Sequence, residues 1–174
     1  MRRRELLVGA AGIGAIGGAG LLYGVFARSG SNGMAVEPVE VPRIEATGSA
    51  PGTETVPEPG RVTYVELFAT WCDVCERMME PLGEAAAAAD GVQFVSVTNE
   101  PVGQTVEAET VAAWWDAHGG NWPLAYDDEL VLTRRVDATA VPYSVVLDAE
   151  NRITWADRGY KSAAELLSHI DDAR

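Results

Sequence analysis

Residues 62–75 read Val62-Thr63-Tyr64-Val65-Glu66-Leu67-Phe68-Ala69-Thr70-Trp71-Cys72-Asp73-Val74-Cys75, and their reading decides the fold. The first seven are β-rich and apolar at nearly every position, the pattern of a central strand covered on both faces. A helix should then begin near Cys72 and run through the alanine tract to about Ala89, where Asp90-Gly91 stops it. A Cys-x-x-Cys on a first helical turn brings both sulfurs within bonding distance. Its first thiol faces unsatisfied N–H groups and the positive end of the helix dipole, which favour the thiolate. This suits thiol–disulfide exchange, with Cys72 as the nucleophile and Cys75 placed to resolve the mixed disulfide. A Cys-rich metal site would need ligands that the chain lacks: it has two cysteines, and its two histidines, His118 and His169, lie far off in sequence. A purely structural bridge closing so short a loop would constrain little of the unfolded chain. No metal or cofactor is expected.

Outward from this stretch, Val92–Val97 reads as a second strand. A helix opens at Thr105 or Glu107, carries Val111, Trp114 and Trp115, and ends at Gly119-Gly120. A short strand over Trp122–Tyr126 and a helix over Asp128–Val136 follow. Tyr143–Leu147 and Arg152–Ala156 then form strands about a turn at Asp148–Asn151. A last amphipathic helix is capped by Ser162, with Ala163, Leu166, Leu167 and Ile170 on its apolar face. Alternating strands and helices closed by a hairpin and a helix make an α/β sandwich about one sheet.

The chain has 174 residues with 26 acids and 13 bases, room for one ordinary domain and a tail. Residues 29–174 carry 25 of the acids against 9 bases, a net of −16, which argues against nucleic acid as a partner. Lys161 is the only lysine, and acid excess with almost no lysine resembles the surfaces of proteins from salt-loving organisms. Arg2, Arg3 and Arg4 precede Leu6–Ala27, an uncharged run of 22 residues long enough to cross a bilayer as a helix. Residues 1–28 therefore read as a signal or membrane anchor resembling twin-arginine export signals, with all that follows outside the cytoplasm. Residues 29–60 hold five of the nine prolines without a sustained apolar period and read as a flexible tether, leaving 61–174 as the folded domain.

Phe68-Ala69-Thr70-Trp71-Cys72-Asp73-Val74-Cys75, followed by Val141-Pro142-Tyr143 before an apolar strand, resembles the thioredoxin superfamily over residues 61–174. The resemblance implies a thioredoxin-like fold with a central mixed β-sheet flanked by helices. It also implies a cis Pro142 beside the disulfide and substrate contact at Trp71 and at the Val141 backbone. Glu66, six residues before Cys72, stands where thioredoxins often hold a buried acid. Desolvation would raise its pKa and let it exchange a proton with Cys75, directly or through water. Pro81 falls nine residues after the first cysteine, where such helices usually have proline at eight. The extra strand and helix around residues 120–136 make the chain more like the membrane-tethered, extracytoplasmic thioredoxins of the TlpA and ResA kind. That likeness implies reduction of disulfides in exported proteins, including apocytochrome c, with electrons from a membrane thiol carrier of the CcdA or DsbD kind. Asp73 and Glu76 place negative charge beside Cys72, destabilise its thiolate and favour the reducing direction. The competing readings are a disulfide-forming oxidase, a thiol peroxidase, a copper-delivery protein for respiratory oxidase using a distant histidine, and an adaptor that binds without turnover.

Overall fold

The computed structural model describes residues 35–174. Its elements are β1 (Val39–Arg43), β2 (Gly52–Val56), β3 (Thr63–Phe68), α1 (Asp73–Ala88), β4 (Gln93–Thr98), α2 (Ala108–Ala117), β5 (Leu124–Tyr126), α3 (Val131–Arg135), β6 (Tyr143–Leu147), β7 (Ile153–Arg158) and α4 (Ala163–Asp172). All seven strands join one sheet in the order β2-β1-β5-β4-β3-β6-β7. β3, β4 and β5 run parallel, and β1, β2, β6 and β7 pair antiparallel to their neighbours. This is the mixed α/β thioredoxin-like architecture.

Every residue of β3 and β4 is buried, as a strand with both faces covered requires. The period of two sends Tyr64, Glu66 and Phe68 to one face and Val65 and Leu67 to the other. Tyr64 and Phe68 meet Met78 and Leu82 of α1, Trp115 of α2 and Leu166 and Ile170 of α4. Val65 and Leu67 meet Val41, Val56, Leu132 of α3 and Val145. Parallel β3, β4 and β5 all end on the side where α1 begins. β6 starts there too, since Tyr143 pairs with Leu67, and β7 ends there, since Arg158 pairs with Tyr143. Five connections therefore converge on one end of the sheet.

The tether assigned to residues 29–60 is corrected by the structure. Residues 29–34 lie outside the described part, as does the whole of 1–28, but β1 and β2 form a hairpin inside the sheet, so the folded domain does not start at Arg61. Pro42 is tolerated in β1 because the ladder to β5 spans one residue pair, Arg43 with Ala125. Tertiary contacts offset the ordering entropy that the sequence taken alone could not. Val41, Ile44 and Val56 are buried, Trp115 Nε1 donates to Thr47 O at 3.1 Å, and Gln93 Nε2 donates to Thr55 O at 2.8 Å. At the hairpin turn Gly48 has φ +76°, and a Cβ there would come 2.2 Å from the Asn121 backbone, so the turn sits against the segment leading to β5. The helix expected over Asp128–Val136 shrinks to Val131–Arg135. The Asp127 carboxylate accepts from the N–H groups of Val131 and Thr133 at 2.8 and 2.7 Å and fixes where it starts. Pro81 lies inside α1, which continues unbroken to Ala88.

Candidate redox site

α1 starts at the cysteine pair because Cys72 is its N-cap, in extended conformation, with its sulfur accepting the Cys75 N–H at 3.2 Å. The two sulfurs form a disulfide across a Cα separation of 5.2 Å, within the span that such a bond requires. Cys72 keeps 8% exposure and Cys75 only 1%, so the outer sulfur is the accessible one. Trp71, directly before it, is 72% exposed. Asp73 and Glu76 occupy the first turn beside the pair and both are exposed.

Glu66 is fully buried on the sheet face covered by α1, between Tyr64 and Phe68, which share a core cluster with Cys75. Its Oε2 accepts from Ser144 Oγ at 2.7 Å and from Tyr64 Oη at 2.9 Å, with the two hydroxyls 3.0 Å apart. Oε1 is buried with no hydrogen-bond partner among the described residues. Burial pushes the Glu66 carboxyl up to about 7, against the opposing effects of the two hydroxyls and of the Lys161 charge. Burial and the neighbouring carboxylate together push the Tyr64 phenol well above its ordinary range, which keeps it a donor. A carboxyl with this affinity takes or gives a proton at neutral pH.

The Val141–Pro142 bond is cis, with Val141 half-buried and Pro142 buried at the head of β6. Gly159 N–H donates to Pro142 O at 3.0 Å, so the loop after β7 lies against this turn. From that loop the buried Lys161 donates its backbone N–H to Met78 Sδ at 3.0 Å. Its ammonium reaches Asp157 at 3.1 Å and Arg158 O at 2.8 Å.

Sequence reasoning singled out Cys72, Cys75, Glu66, Pro142, Trp71 and Val141; the converging loops bring Trp71, Cys72, Cys75, Val141 and Pro142 to one end of the sheet, and Glu66 lies further in, on the middle of β3. It did not find Tyr64 and Ser144. Tyr64 is two residues from Glu66 on the same strand, a signal that period-two reading carries, whereas Ser144 is set opposite Glu66 only by the β3–β6 register. Lys161 was conspicuous as the only lysine, but the action of its charge on this carboxyl depends on tertiary structure. Trp115 and Trp122 are core residues. His118 lies tilted against Trp114 at 4.5 Å with Nε2 3.6 Å from Glu76, and His169 stacks on Trp155 at 4.1 Å, so the two histidines sit in separate aromatic contacts. Among the described residues no group of three or more His, Cys, Asp or Glu is gathered to hold a metal. A cavity of about 540 Å³ opens between Gly83, Ala86 and Ala87 of α1, Glu54 and Trp122, and the cysteines do not line it.

Residues 39–172 match the Redoxin family model. The chain belongs to the redoxin family. With the Cys72–Cys75 pair at disulfide distance on a helix N-terminus, this makes it a thiol–disulfide oxidoreductase. In structure it is similar to StoA from Bacillus subtilis, with 19% identity and a TM-score of 0.65 over 78% of this chain and 97% of that one. A putative thiol:disulfide interchange protein DsbE from Chlorobium tepidum aligns at 18% identity and TM-score 0.66 over 81% and 96% of the two chains. A secreted Mycobacterium tuberculosis disulfide oxidoreductase, homologous to E. coli DsbE, aligns at 16% identity and TM-score 0.64 over 77% and 95%. No curated protein matches in sequence. At these identities the likeness concerns the fold.

Proposed function

We propose that the protein acts outside the cytoplasm and reduces disulfides of exported proteins, apocytochrome c among them, drawing electrons from a membrane thiol carrier of the CcdA or DsbD kind. The observation that carries the reducing cycle is the pairing of an accessible N-cap sulfur, Cys72, with a buried Cys75, on a helix that covers the sheet face where the Glu66 carboxyl is pushed up to about 7. In the dithiol form the Cys72 thiolate attacks one sulfur of the client disulfide, forms a mixed disulfide and releases the first client thiolate. Glu66 accepts the Cys75 proton, and the Cys75 thiolate attacks Cys72 Sγ, which releases the second client thiolate. The client gains two electrons, and this chain is left with the Cys72–Cys75 disulfide. The carrier restores the dithiol by the same exchange.

Asp73 and Glu76 support the direction, because negative charge beside Cys72 disfavours the thiolate and with it the dithiol. Exposed Trp71 and Tyr160 and half-buried Val141 support a polypeptide client. Tyr160 lies between Gly159, bonded to Pro142, and Lys161, bonded to Met78 of α1. The placement rests on Arg2, Arg3 and Arg4 and on the uncharged run of residues 6–27, and among the described residues no helix is long and apolar enough to cross a membrane. Labelling of reduced cells with a membrane-impermeant maleimide tests the location. Reaction of Cys72 in intact cells supports it, and reaction only after lysis contradicts it.

A further inference from the structure

The turn that presents Trp71 and Cys72 is held by a side chain from another loop. Ala69 to Cys72 closes as a turn, with the Cys72 N–H donating to Ala69 O at 3.2 Å. Within it Thr70 gives both of its donors to one carboxylate. Its N–H reaches Glu100 Oε2 at 2.7 Å and its hydroxyl reaches Glu100 Oε1 at 3.0 Å. Glu100, 8% exposed, stands on the connection after β4 and is itself pinned. Thr98 Oγ1 donates to Oε2 at 3.1 Å and accepts the Glu100 N–H at 3.3 Å. One backbone bond, Asn99 N–H to Phe68 O at 3.4 Å, joins the same two connections. A carboxylate that accepts from the amide and the hydroxyl of one residue fixes both the position and the rotation of that residue. The exchange chemistry itself makes no use of Glu100.

We propose that Glu100 is a positioning residue for the redox site, clamping Thr70 so that Cys72 meets an incoming disulfide in a fixed orientation. Sulfur attack on a disulfide needs the three sulfurs in line, and freedom in the peptide that carries the nucleophile is lost as rate. The proposal rests on Cys72 being the attacking thiol.

The test uses the reduced full chain and oxidised insulin in single turnover, with rate and half-saturation measured apart. Glu100→Gln keeps the size but removes the charge that both Thr70 donors share, and its amide NH₂ turns the Thr70 hydroxyl from donor to acceptor. The limiting rate is expected to fall about tenfold, with half-saturation held within about twofold. Thr70→Val, which loses the hydroxyl alone, falls by about threefold, and Thr70→Ser, which keeps both donors, reacts like the wild type. A wild-type rate in Glu100→Gln overturns the proposal, as does a Thr70→Ser rate as low as that of Thr70→Val. If Glu100→Gln does not fold, the two Thr70 variants decide alone: equal rates overturn the clamp, and a slow valine beside a wild-type serine upholds it. Trapping insulin on Cys75→Ser reports the attacking thiol separately. A bond trapped at Cys72 with Glu100→Gln unimpaired sinks the clamp only, whereas attack persisting through Cys75 in Cys72→Ser sinks both.

Discussion

Glu66 and Glu100 are both buried carboxylates next to the cysteine motif, yet their surroundings are opposite. Glu66 sits in the middle of a strand, receives two hydroxyls on one oxygen and leaves the other without a partner. Glu100 stands at a strand end and has both oxygens occupied, one of them by a backbone amide. The first environment carries a cost that a proton relieves, and the second makes the carboxylate a strut. Burial alone therefore does not assign a role to an acid. The number and kind of donors on each oxygen do.

The comparison can be broken most severely at the sulfurs that both acids are proposed to serve. Cys72→Ser is expected to abolish turnover, and Cys75→Ser to stop after one attack with the client held as a mixed disulfide, visible by mass spectrometry. Glu66→Gln comes next. It removes the proton acceptor proposed for Cys75 and should slow resolution of the mixed disulfide about a hundredfold near pH 7, while leaving the first attack unchanged. An equal loss in both steps would make Glu66 a packing group.

The two acids also separate by stability. The folded-state pKa of Glu66 lies above its ordinary value of 4.5, at about 7, so the native state binds the extra proton between those limits. Stability is then fully present below about pH 4.5, declines as pH rises through 7 and levels off above it. Glu66→Gln should remove that decline and leave the variant more stable than the wild type at pH 8 by about 3 kcal/mol, measured by urea unfolding across pH. A wild type whose stability rises between pH 5 and 8, with the variant following it, would contradict the desolvated carboxyl. Glu100→Gln gains nothing of the kind, because its substitution loses acceptors.

The smallest expected effect is at the surface. Asp73→Asn should move the alkylation profile of Cys72 to lower pH, an effect that molar salt reduces. An unmoved or raised profile would remove the electrostatic support for the reducing direction.

Much of this was legible in the sequence, for reasons that differ by region. β3, β4 and β6 are short runs rich in Val, Leu, Phe and Tyr, and the starts of α1 and α4 are marked by Cys72 and Ser162, so local pattern and structure agree there. The β1–β2 hairpin was not legible. Its prolines and polar residues read as a tether, and its partners elsewhere in the fold, Gln93 and Leu124 on the sheet and Trp115 on α2, order it. In the site, the motif gave Cys72, Cys75 and Pro142, and strand position gave Glu66. Ser144, Lys161 and the Glu100–Thr70 clamp depend on contacts spanning 30 to 83 residues, which no local spacing encodes.

The most direct measurement is the reduction potential of the Cys72–Cys75 pair in the full chain, by equilibrium against dithiothreitol and glutathione buffers. A value near that of thioredoxin, about −270 mV, is the result expected of a reductase fed from the membrane. A value near about −120 mV would make the protein a disulfide donor and contradict the direction assigned to it.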